Sequence, residues 1–468
     1  MAQISWKGKR VVIIGAARQG LALARYLSTH GATVILNDRR TPQQLIKEME
    51  SLAPYQIEWV TGGHPLNILN PHPEFLFVSG GVPLDNPLVT FARENHIRLS
   101  NDTQVFMEAA PCKTVGITGS AGKTTTTTLL GRMAQAGASG KYGHIWIGGN
   151  MGDPLINYVD EMSPTDLAIL EISSFQSELM TSAPNVAAIL NITPNHLDRH
   201  GTMEAYTTAK ANIIKFQTSA DCAILGRDGP GAWGLAANLR SHLYSFGFSP
   251  LPAGQDGAYI ENEKFYLRDG GKITRLPVED HIELRGDHNR LNVLAACTIA
   301  HAAGFGAEAM LAGVKDFRGV SHRLEFIRTW HGAHWYNDSI ATAPERTIAA
   351  IKSFSGPLIL LLGGRDKDLP WEELAKLVHQ RVDHVVIFGE AAGKIQTALG
   401  QLTPGSKPYS LTRVEKCQDA AASASRLAQP GYSVLFSPGG TSYDEFKDFE
   451  ERGERFTKWV LEFSETQQ

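Results

Sequence analysis

Val115-Gly-Ile-Thr-Gly-Ser-Ala-Gly-Lys-Thr-Thr-Thr126 decides the fold, because an apolar run stops abruptly at glycines, a lysine and hydroxyls, as a strand feeding a phosphate-binding loop does. Gly119 and Gly122, with Ser120 between them, let the backbone turn its N–H groups inward around an anion. Lys123 supplies a point charge for the β- and γ-phosphates, and the hydroxyl of Thr124, next to Thr125, suits Mg²⁺. The stretch predicts a bound nucleoside triphosphate. Its loop is shorter than the usual spacing, since the residue five before Gly122 is Ile117 rather than glycine. The competing reading is a glycine-rich turn before a helix.

Working outward, 468 residues are enough for about three domains. Hydrophobic residues make up 43% of the chain and charged residues 20%, with a formal net charge of -4, so no excess of positive charge points to nucleic acid or an anionic membrane. No apolar stretch approaches the roughly 20 residues of a membrane span, and a cytoplasmic location is expected. Cys112, Cys222, Cys297 and Cys417 are scattered without paired spacing, which indicates neither a disulfide framework nor a zinc site.

The organisation reads as α/β throughout. Val11-Val-Ile-Ile14 ends at Gly15, a helical pattern follows from Gln19 to Leu27, and Thr33-Val-Ile-Leu36 runs to Asp38, a β-α-β start. Gly15-Ala-Ala-Arg-Gln-Gly20 imitates the dinucleotide fingerprint with alanine at the second glycine, and Asp38 stands where an acidic ribose ligand would. A plain turn, a nicotinamide cofactor and a different nucleotide diphosphate all remain open for this loop. Phe75-Leu-Phe-Val78 ends at Ser79-Gly-Gly, which faces the same crevice.

Two further runs stop at chemically loaded residues: Leu167–Leu170 at Glu171, and Val186–Leu190 at a stretch ending in His196. In a parallel sheet the carboxyl ends of strands form the ligand crevice, so Lys123, Thr124, Glu171 and His196 can surround one Mg²⁺-ATP. Taken singly, Glu171 also reads as a helix N-terminal acid and His196 as a loop histidine. Lys210 lies in a helix with Thr202 as N-cap and shares the apolar face of Met203, Tyr206, Ile213 and Ile214. Burial favours its neutral amine, a nucleophile toward CO₂; the alternative is a snorkelling lysine. Asp221 to His281 shows weak periodicity, and order returns at Gly286-Asp-His-Asn-Arg-Leu-Asn292, where Asn289 either reads a base or caps the helix. A third α/β unit begins near Val320, with strands at Leu358–Leu362, His384–Phe388 and Tyr432–Phe436.

The motifs T-G-S-A-G-K-T-T at 118–125, E-I-S-S-F-Q at 171–176, H-L-D-R-H-G at 196–201, G-D-H-N-R-L-N at 286–292, H-R-L-E at 322–325, N-D-S-I-A-T at 337–342 and the 437–453 segment together resemble the muramyl ligase family over essentially the whole chain. The resemblance implies three domains: a Rossmann-like UDP-sugar domain at 1–100, a central P-loop-type ATPase domain with a mainly parallel sheet at 101–319, and a Rossmann-like amino-acid domain at 320–468. It implies an ATP-dependent amide ligase of peptidoglycan precursor synthesis that works as a monomer, taking UDP-N-acetylmuramoyl-L-alanine, glutamate and ATP.

By that resemblance Arg18, Gln19, Asp38, Arg39, Ser79 and Asn150 line the UDP-sugar site, with Ser173 near the acceptor. Lys123 holds phosphates, Thr124 and Glu171 take one Mg²⁺, and His196 with a carbamylated Lys210 takes a second. Asn289 and Asn292 meet adenine, Arg323 and Asp338 meet ATP, and Thr342, Lys367, Ser442, Tyr443 and Phe449 form the glutamate pocket. Three residues depart from the family pattern: Ala121 for asparagine, Asn195 for an acid, and Ile340 for the lysine usual in D-glutamate ligases. D-glutamate is the expected amino acid, and the 338–344 loop keeps a variant ligase for L-glutamate as the alternative. More distant alternatives are another ATP-dependent amino-acid ligase, an ATP-switched binding protein and a nicotinamide-dependent oxidoreductase.

Overall fold

The computed structural model describes residues 4–284, 286–366 and 369–463, in two compact units that meet in sequence between Phe317 and Arg318. The first unit carries two sheets and the second carries one.

Sheet one contains β1 (Arg10–Ile14), β2 (Thr33–Asp38), β3 (Ile57–Thr61), β4 (Phe75–Val78) and β5 (Arg98–Ser100), parallel throughout in the order β3-β2-β1-β4-β5. Val11, Val12, Ile13 and Ile14 are all 0% exposed, so both faces of β1 are covered and the strand reads as an unbroken apolar run. The strand order reverses at β1, which opens a crevice beyond the ends of β1 and β4, beside Gly15 and Ser79. The helix Arg18–Thr29 leaves that crevice so tightly that a Cβ on Gly20 would sit 1.9 Å from the Gly15 carbonyl oxygen. Only glycine fits there.

Sheet two runs from β6 (Lys113–Thr118) through β7 (Ile145–Gly149), β8 (Leu167–Glu171), β9 (Val186–Ile189), β10 (Cys222–Gly226), β11 (His242–Gly247), β12 (Asp256–Glu261) and β13 (Lys264–Asp269) to β14 (Lys272–Leu276). Its order is β14-β13-β12-β11-β10-β9-β6-β8-β7, parallel from β7 to β12 and antiparallel in the last two pairings. The weak order expected between Asp221 and His281 is therefore wrong: five strands lie there. Two tight turns with positive φ at both central residues, Asn262-Glu263 (49° and 65°) and Gly270-Gly271 (54° and 84°), fold the last three strands back on one another. Their charged, half-solvated faces dilute the apolar alternation that would announce them; the first four residues of β14 are exposed.

The apolar face of Leu155, Ile156 and Val159 joins β1 and β8 in one continuous core, so the two sheets of this unit pack as one body. Truncating a fully buried core residue of this kind to alanine costs about 2–5 kcal/mol.

The second unit is built on β15 (Glu325–Trp330), β16 (Ala333–Asn337), β17 (Leu358–Gly363), β18 (His384–Phe388), β19 (Ser410–Arg413) and β20 (Ser433–Gly439), in the order β15-β16-β20-β17-β18-β19. Only the β15–β16 pair is antiparallel. Alternate residues of β17 face opposite ways: Leu360 and Leu362 join Leu374 and Val378 on one side, while Ile359 and Leu361 join Trp335, Phe436 and Phe456 on the other. Strands β15, β16 and β19 are additions to the three expected from sequence. No helix among the described residues is long and apolar enough to cross a membrane.

Candidate active site

The phosphate loop follows β6 and delivers Lys123 at the first turn of the helix Lys123–Gly137. Gly122 adopts φ 84°, and a Cβ there would lie 2.2 Å from Oδ1 of Asn292, so conformation and space both demand glycine. That contact also fixes where the helix Asp287–Ala302 begins relative to the loop. Asn292 is buried and donates Nδ2 to Asn289 Oδ1 at 3.1 Å, which places both asparagines beside the phosphate loop.

Asn191, just beyond β9, laces the loop shut: its side-chain oxygen accepts the Ala121 N–H at 2.9 Å, its Nδ2 donates to the Ala121 carbonyl at 3.1 Å, and its own carbonyl accepts the Ser120 N–H at 3.0 Å. The N–H groups of Ser120 and Ala121 therefore serve the protein. Asn191 has no place among the sequence-derived site residues, although its position at a strand end was a signal for it. Ser120 Oγ donates to the Thr193 carbonyl and meets Tyr206 Oη, each at 3.0 Å.

Lys210 is 1% exposed, on the inward face of the helix Met203–Lys215, whose N-cap Thr202 accepts the Ala205 N–H. Its ammonium donates to the Gly119 carbonyl at 3.0 Å and to Thr118 Oγ1 at 3.3 Å. Lys123 Nζ donates to the same Gly119 carbonyl at 2.9 Å. Two cations on one oxygen repel each other, and burial with the Lys123 charge brings the Lys210 pKa down to about 7, against a pull upward from Glu171. Burial thus favours the neutral amine over the charged one.

Glu171 ends β8 and is 2% exposed. Its Oε1 accepts Asn150 Nδ2 at 2.7 Å, while Oε2 is buried with no hydrogen-bond partner among the described residues. A buried carboxylate oxygen with unused lone pairs, close enough to Lys210 to act on its charge, suits a hard cation. The Asn150 carbonyl accepts Arg18 Nη2 at 2.8 Å, so a chain Arg18–Asn150–Glu171 links the crevice of sheet one to the strand ends of sheet two. His196 is exposed at φ 53°, its ring edge-on to Phe175 with centroids 5.2 Å apart, and Asn195 beside it is exposed too. The Arg199 guanidinium lies over the Phe175 ring, 3.9 Å from its centroid. Ser173 is tied up as an N-cap, in a reciprocal capping box with Gln176.

In the crevice of sheet one, Asp38 is buried and accepts the Ala16 N–H at 2.8 Å and Arg40 through both carboxylate oxygens. Burial alone would raise its pKa, but the hydrogen bonds from Arg40 and the Ala16 backbone outweigh it and hold the carboxyl below its ordinary range. Arg40 is a functional candidate that sequence reading passed over in favour of Arg39, which is exposed. Ser79 Oγ donates to the Gly15 carbonyl at 2.9 Å, and Gln19 Oε1 accepts the Gly80 N–H at 3.4 Å.

In the second unit, Asp338 is 5% exposed and accepts Ser437 Oγ at 2.7 Å and the Leu324 N–H at 3.2 Å; burial lifts its pKa to about 6, against the pull of those bonds and of Arg323 and Arg346. His322 and Leu324 flank Arg323 at φ 64° and 46°, both in the left-handed region, within the turn that leads into β15. Arg452, 0% exposed, ties the loops together: Nε donates to Ser339 Oγ at 3.0 Å, Nη2 to the Ser339 carbonyl at 2.8 Å and Nη1 to the Gly440 carbonyl at 3.0 Å. This organising role too is absent from the sequence-derived list. Phe449 accepts Ser339 Oγ through its carbonyl, Thr342 lies half-buried, Ser442 is buried and Tyr443 is 61% exposed. Lys367 lies outside the described residues.

Three family models match in sequence order: the Mur ligase MurD-like N-terminal domain at 9–100, the Mur ligase middle domain at 117–300 and the Mur ligase glutamate ligase domain at 322–440. Among similar proteins, the UDP-N-acetylmuramoylalanine--D-glutamate ligase of Acidobacterium capsulatum is 38% identical over 97% of this chain and 96% of its own. The enzyme of the same name from Symbiobacterium thermophilum is 36% identical over 97% and 98%. Solved structures share the fold at lower identity: MurF of Acinetobacter baumannii has a TM-score of 0.54 at 18% identity, covering 96% of this chain and 93% of that one. UDP-N-acetylmuramate-alanine ligase MurC of Thermotoga maritima has 0.53 at 18%, covering 97% and 99%. Matched by these models in all three regions and by full-length relatives above one-third identity, the chain belongs to the Mur ligase family.

Proposed function

We propose that this protein is an ATP-dependent ligase that joins D-glutamate to UDP-N-acetylmuramoyl-L-alanine in peptidoglycan precursor synthesis, acting in the cytoplasm as a monomer. The observation that carries the reading is the pair of ammonium groups, Lys123 and Lys210, on the one Gly119 carbonyl, with an unsatisfied carboxylate oxygen of Glu171 buried nearby. Two lysine side chains on one carbonyl oxygen, with a buried carboxylate beside them, suit a polyphosphate with its cations. The names of the relatives support glutamate and the muramoyl-alanine acceptor.

In this reading residues 1–100 bind the UDP-sugar, 101–319 bind ATP and 320–468 bind the amino acid. Thr124 and Glu171 would hold one Mg²⁺, and His196 with Lys210 as its carbamate a second; Mg²⁺, when bound, offsets the charge between two anions. Neutral Lys210 adds its nitrogen lone pair to the carbon of CO₂ and loses a proton, which turns a buried cation into an anion. The acceptor carboxylate attacks the γ-phosphorus of ATP, the bond to the bridging oxygen breaks and ADP leaves. Lys123 stabilises the transferring phosphoryl group. Glutamate's free amine then attacks the acyl phosphate, and phosphate departs from the tetrahedral intermediate as the amide forms. Arg18, Gln19, Asp38, Arg39, Ser79 and Asn150 serve the UDP-sugar; Asn289, Asn292, Arg323 and Asp338 serve ATP; and Thr342, Lys367, Ser442, Tyr443 and Phe449 serve glutamate.

One observation favours a second reading, with L-glutamate as substrate: position 340, in the loop before the helix Pro344–Lys352, presents a half-buried isoleucine instead of a cation. Phosphate release measured with UDP-N-acetylmuramoyl-L-alanine and each enantiomer decides between them. A higher kcat/KM for D-glutamate is expected; preference for L-glutamate would replace the first reading by the second, and no release with either would remove both.

A further inference from the structure

Sheet two has a second concave site at the edge opposite the phosphate loop. A cavity of about 690 Å³ is lined by Lys113, Val186, Cys222 and His242, the first residues of β6, β9, β10 and β11. These are amino ends of parallel strands, whereas Glu171 ends β8 and Lys123 follows β6 at the carboxyl edge. The six residues of β6 set the two edges about 17 Å apart. Three strands bring metal-ligating side chains to the rim of this cavity. Among the described residues, His242, Asp256 and Asp269 each offer one donor atom, and the three atoms lie within 4.8 Å of one another.

The strand register imposes the meeting. Asp256 opens β12, Asp269 closes the antiparallel β13, and the register that pairs Gly257 with Arg268 puts the two aspartates opposite each other one step further on. Tyr244 pairs with Asp256 across β11 and β12, so His242, two residues earlier, shares that face. Two carboxylates directly across a strand pair repel, and a cation between them removes the repulsion. Both are already oriented. Asp256 Oδ1 accepts the Gly270 N–H at 3.0 Å, and its Oδ2 lies 3.4 Å from His242 Nε2. Asp269 Oδ1 accepts Tyr244 Oη at 2.8 Å, and its Oδ2 lies 3.0 Å from Nε2 of His301, in the last turn of the helix Asp287–Ala302. Donors at about 2.1 Å from a tetrahedral ion stand roughly 3.4 Å apart, the spacing that His242 and Asp256 already have. The geometry points to a binding site for a divalent transition metal of the zinc class, held by His242, Asp256 and Asp269, with His301 and Tyr244 fixing Asp269 from behind and water completing the set. An imidazole donor selects such an ion over Mg²⁺, which keeps to oxygen. Bound there, the ion staples β11, β12 and β13 across their shared end, far from the phosphate loop.

Calorimetric titration of the untagged full-length protein with ZnCl₂, in excess Mg²⁺ to fill oxygen-only sites, tests this. One Zn²⁺ per chain with a Kd below about 100 μM is expected, with a rise in melting temperature on binding, and X-ray absorption should show nitrogen and oxygen donors at about 2.0–2.2 Å. His242→Ala should weaken Zn²⁺ binding by at least about 100-fold, and His301→Ala, which removes only a partner of Asp269, by about 10-fold. His242 is exposed, so the metal-free variant should melt with the metal-free wild type. No saturable binding below about 100 μM, or a Kd unchanged in His242→Ala, reduces the three side chains to ordinary ion pairs and overturns the proposal.

Discussion

The two glycine-rich turns of the first unit, Gly15–Gly20 after β1 and Gly119–Gly122 after β6, look alike in sequence and differ in what the protein leaves unsettled. At the first, Asp38 takes the Ala16 N–H and the Arg40 fork, and Ser79 takes the Gly15 carbonyl, so charges and hydrogen bonds largely close on themselves. At the second, two lysines crowd one carbonyl and a buried carboxylate oxygen has no hydrogen-bond partner among the described residues. A settled turn is suited to holding a ligand, whereas an unsettled one is suited to changing it. Static binding needs complementarity, but catalysis needs charge placed where charge develops.

The sharpest way to break this contrast is Lys123→Ala. Ligation should fall by about three orders of magnitude or more, as expected when an electrostatic contact at the transferring group is lost, while sugar-nucleotide affinity measured by calorimetry stays within about two-fold. A variant that ligates normally would dissolve the distinction. Next comes Lys210→Ala, expected to be nearly inactive and partly rescued by a short carboxylate. Its companion measurement uses Lys210→Met in CO₂-free buffer. Because the wild-type folded pKa lies near 7 and the unfolded value near 10.5, the unfolded chain binds more protons between them, so wild-type stability should rise with pH across that window. The methionine variant should lack that rise; a parallel pair of curves would show that the amine is not buried in solution.

A smaller effect is expected from Asp38→Asn, which keeps the shape of the first turn but removes its charge. Sugar-nucleotide binding should weaken about ten-fold, with kcat at saturating acceptor nearly unchanged. A collapse in kcat would mean that the first turn takes part in the chemistry. The smallest is Asp102→Asn. Burial raises the Asp102 pKa to about 6, against bonds from the Thr103 backbone and its own, so its protonated form favours the folded state at low pH and that advantage is lost as pH rises through 6. The variant should match wild type near pH 4 and exceed it by about 1–3 kcal/mol at pH 7.5 in denaturant titrations.

The contrast also explains how much the sequence revealed. Strands whose faces are buried, such as β1, β6 and β8, announce themselves as apolar runs, and the residues that end them are the candidate ligands, which is how Lys123 and Glu171 came to be singled out. Strands β12–β14 were not legible, because a half-wet sheet edge mixes charges into its alternation. Asn191, Arg40 and Arg452 were missed for another reason. Each acts by hydrogen-bonding backbone or a partner contributed by a distant segment, and spacing along a chain does not encode that. The inward direction of Lys210 was encoded, since helical period alone determines it.

Strand β14 closes one end of the nine-stranded sheet with an open row of backbone donors and acceptors. Lys272, Thr274 and Arg275 all stand exposed along it, the arginine paired with Glu279. An uncharged strand in that position would invite a second molecule to add itself edge to edge and begin a fibre. The lysine and arginine act as gatekeepers against that growth. Replacing both with valine should leave ligation intact and shorten the time the concentrated protein remains clear, a colloidal cost carried by residues far from any substrate.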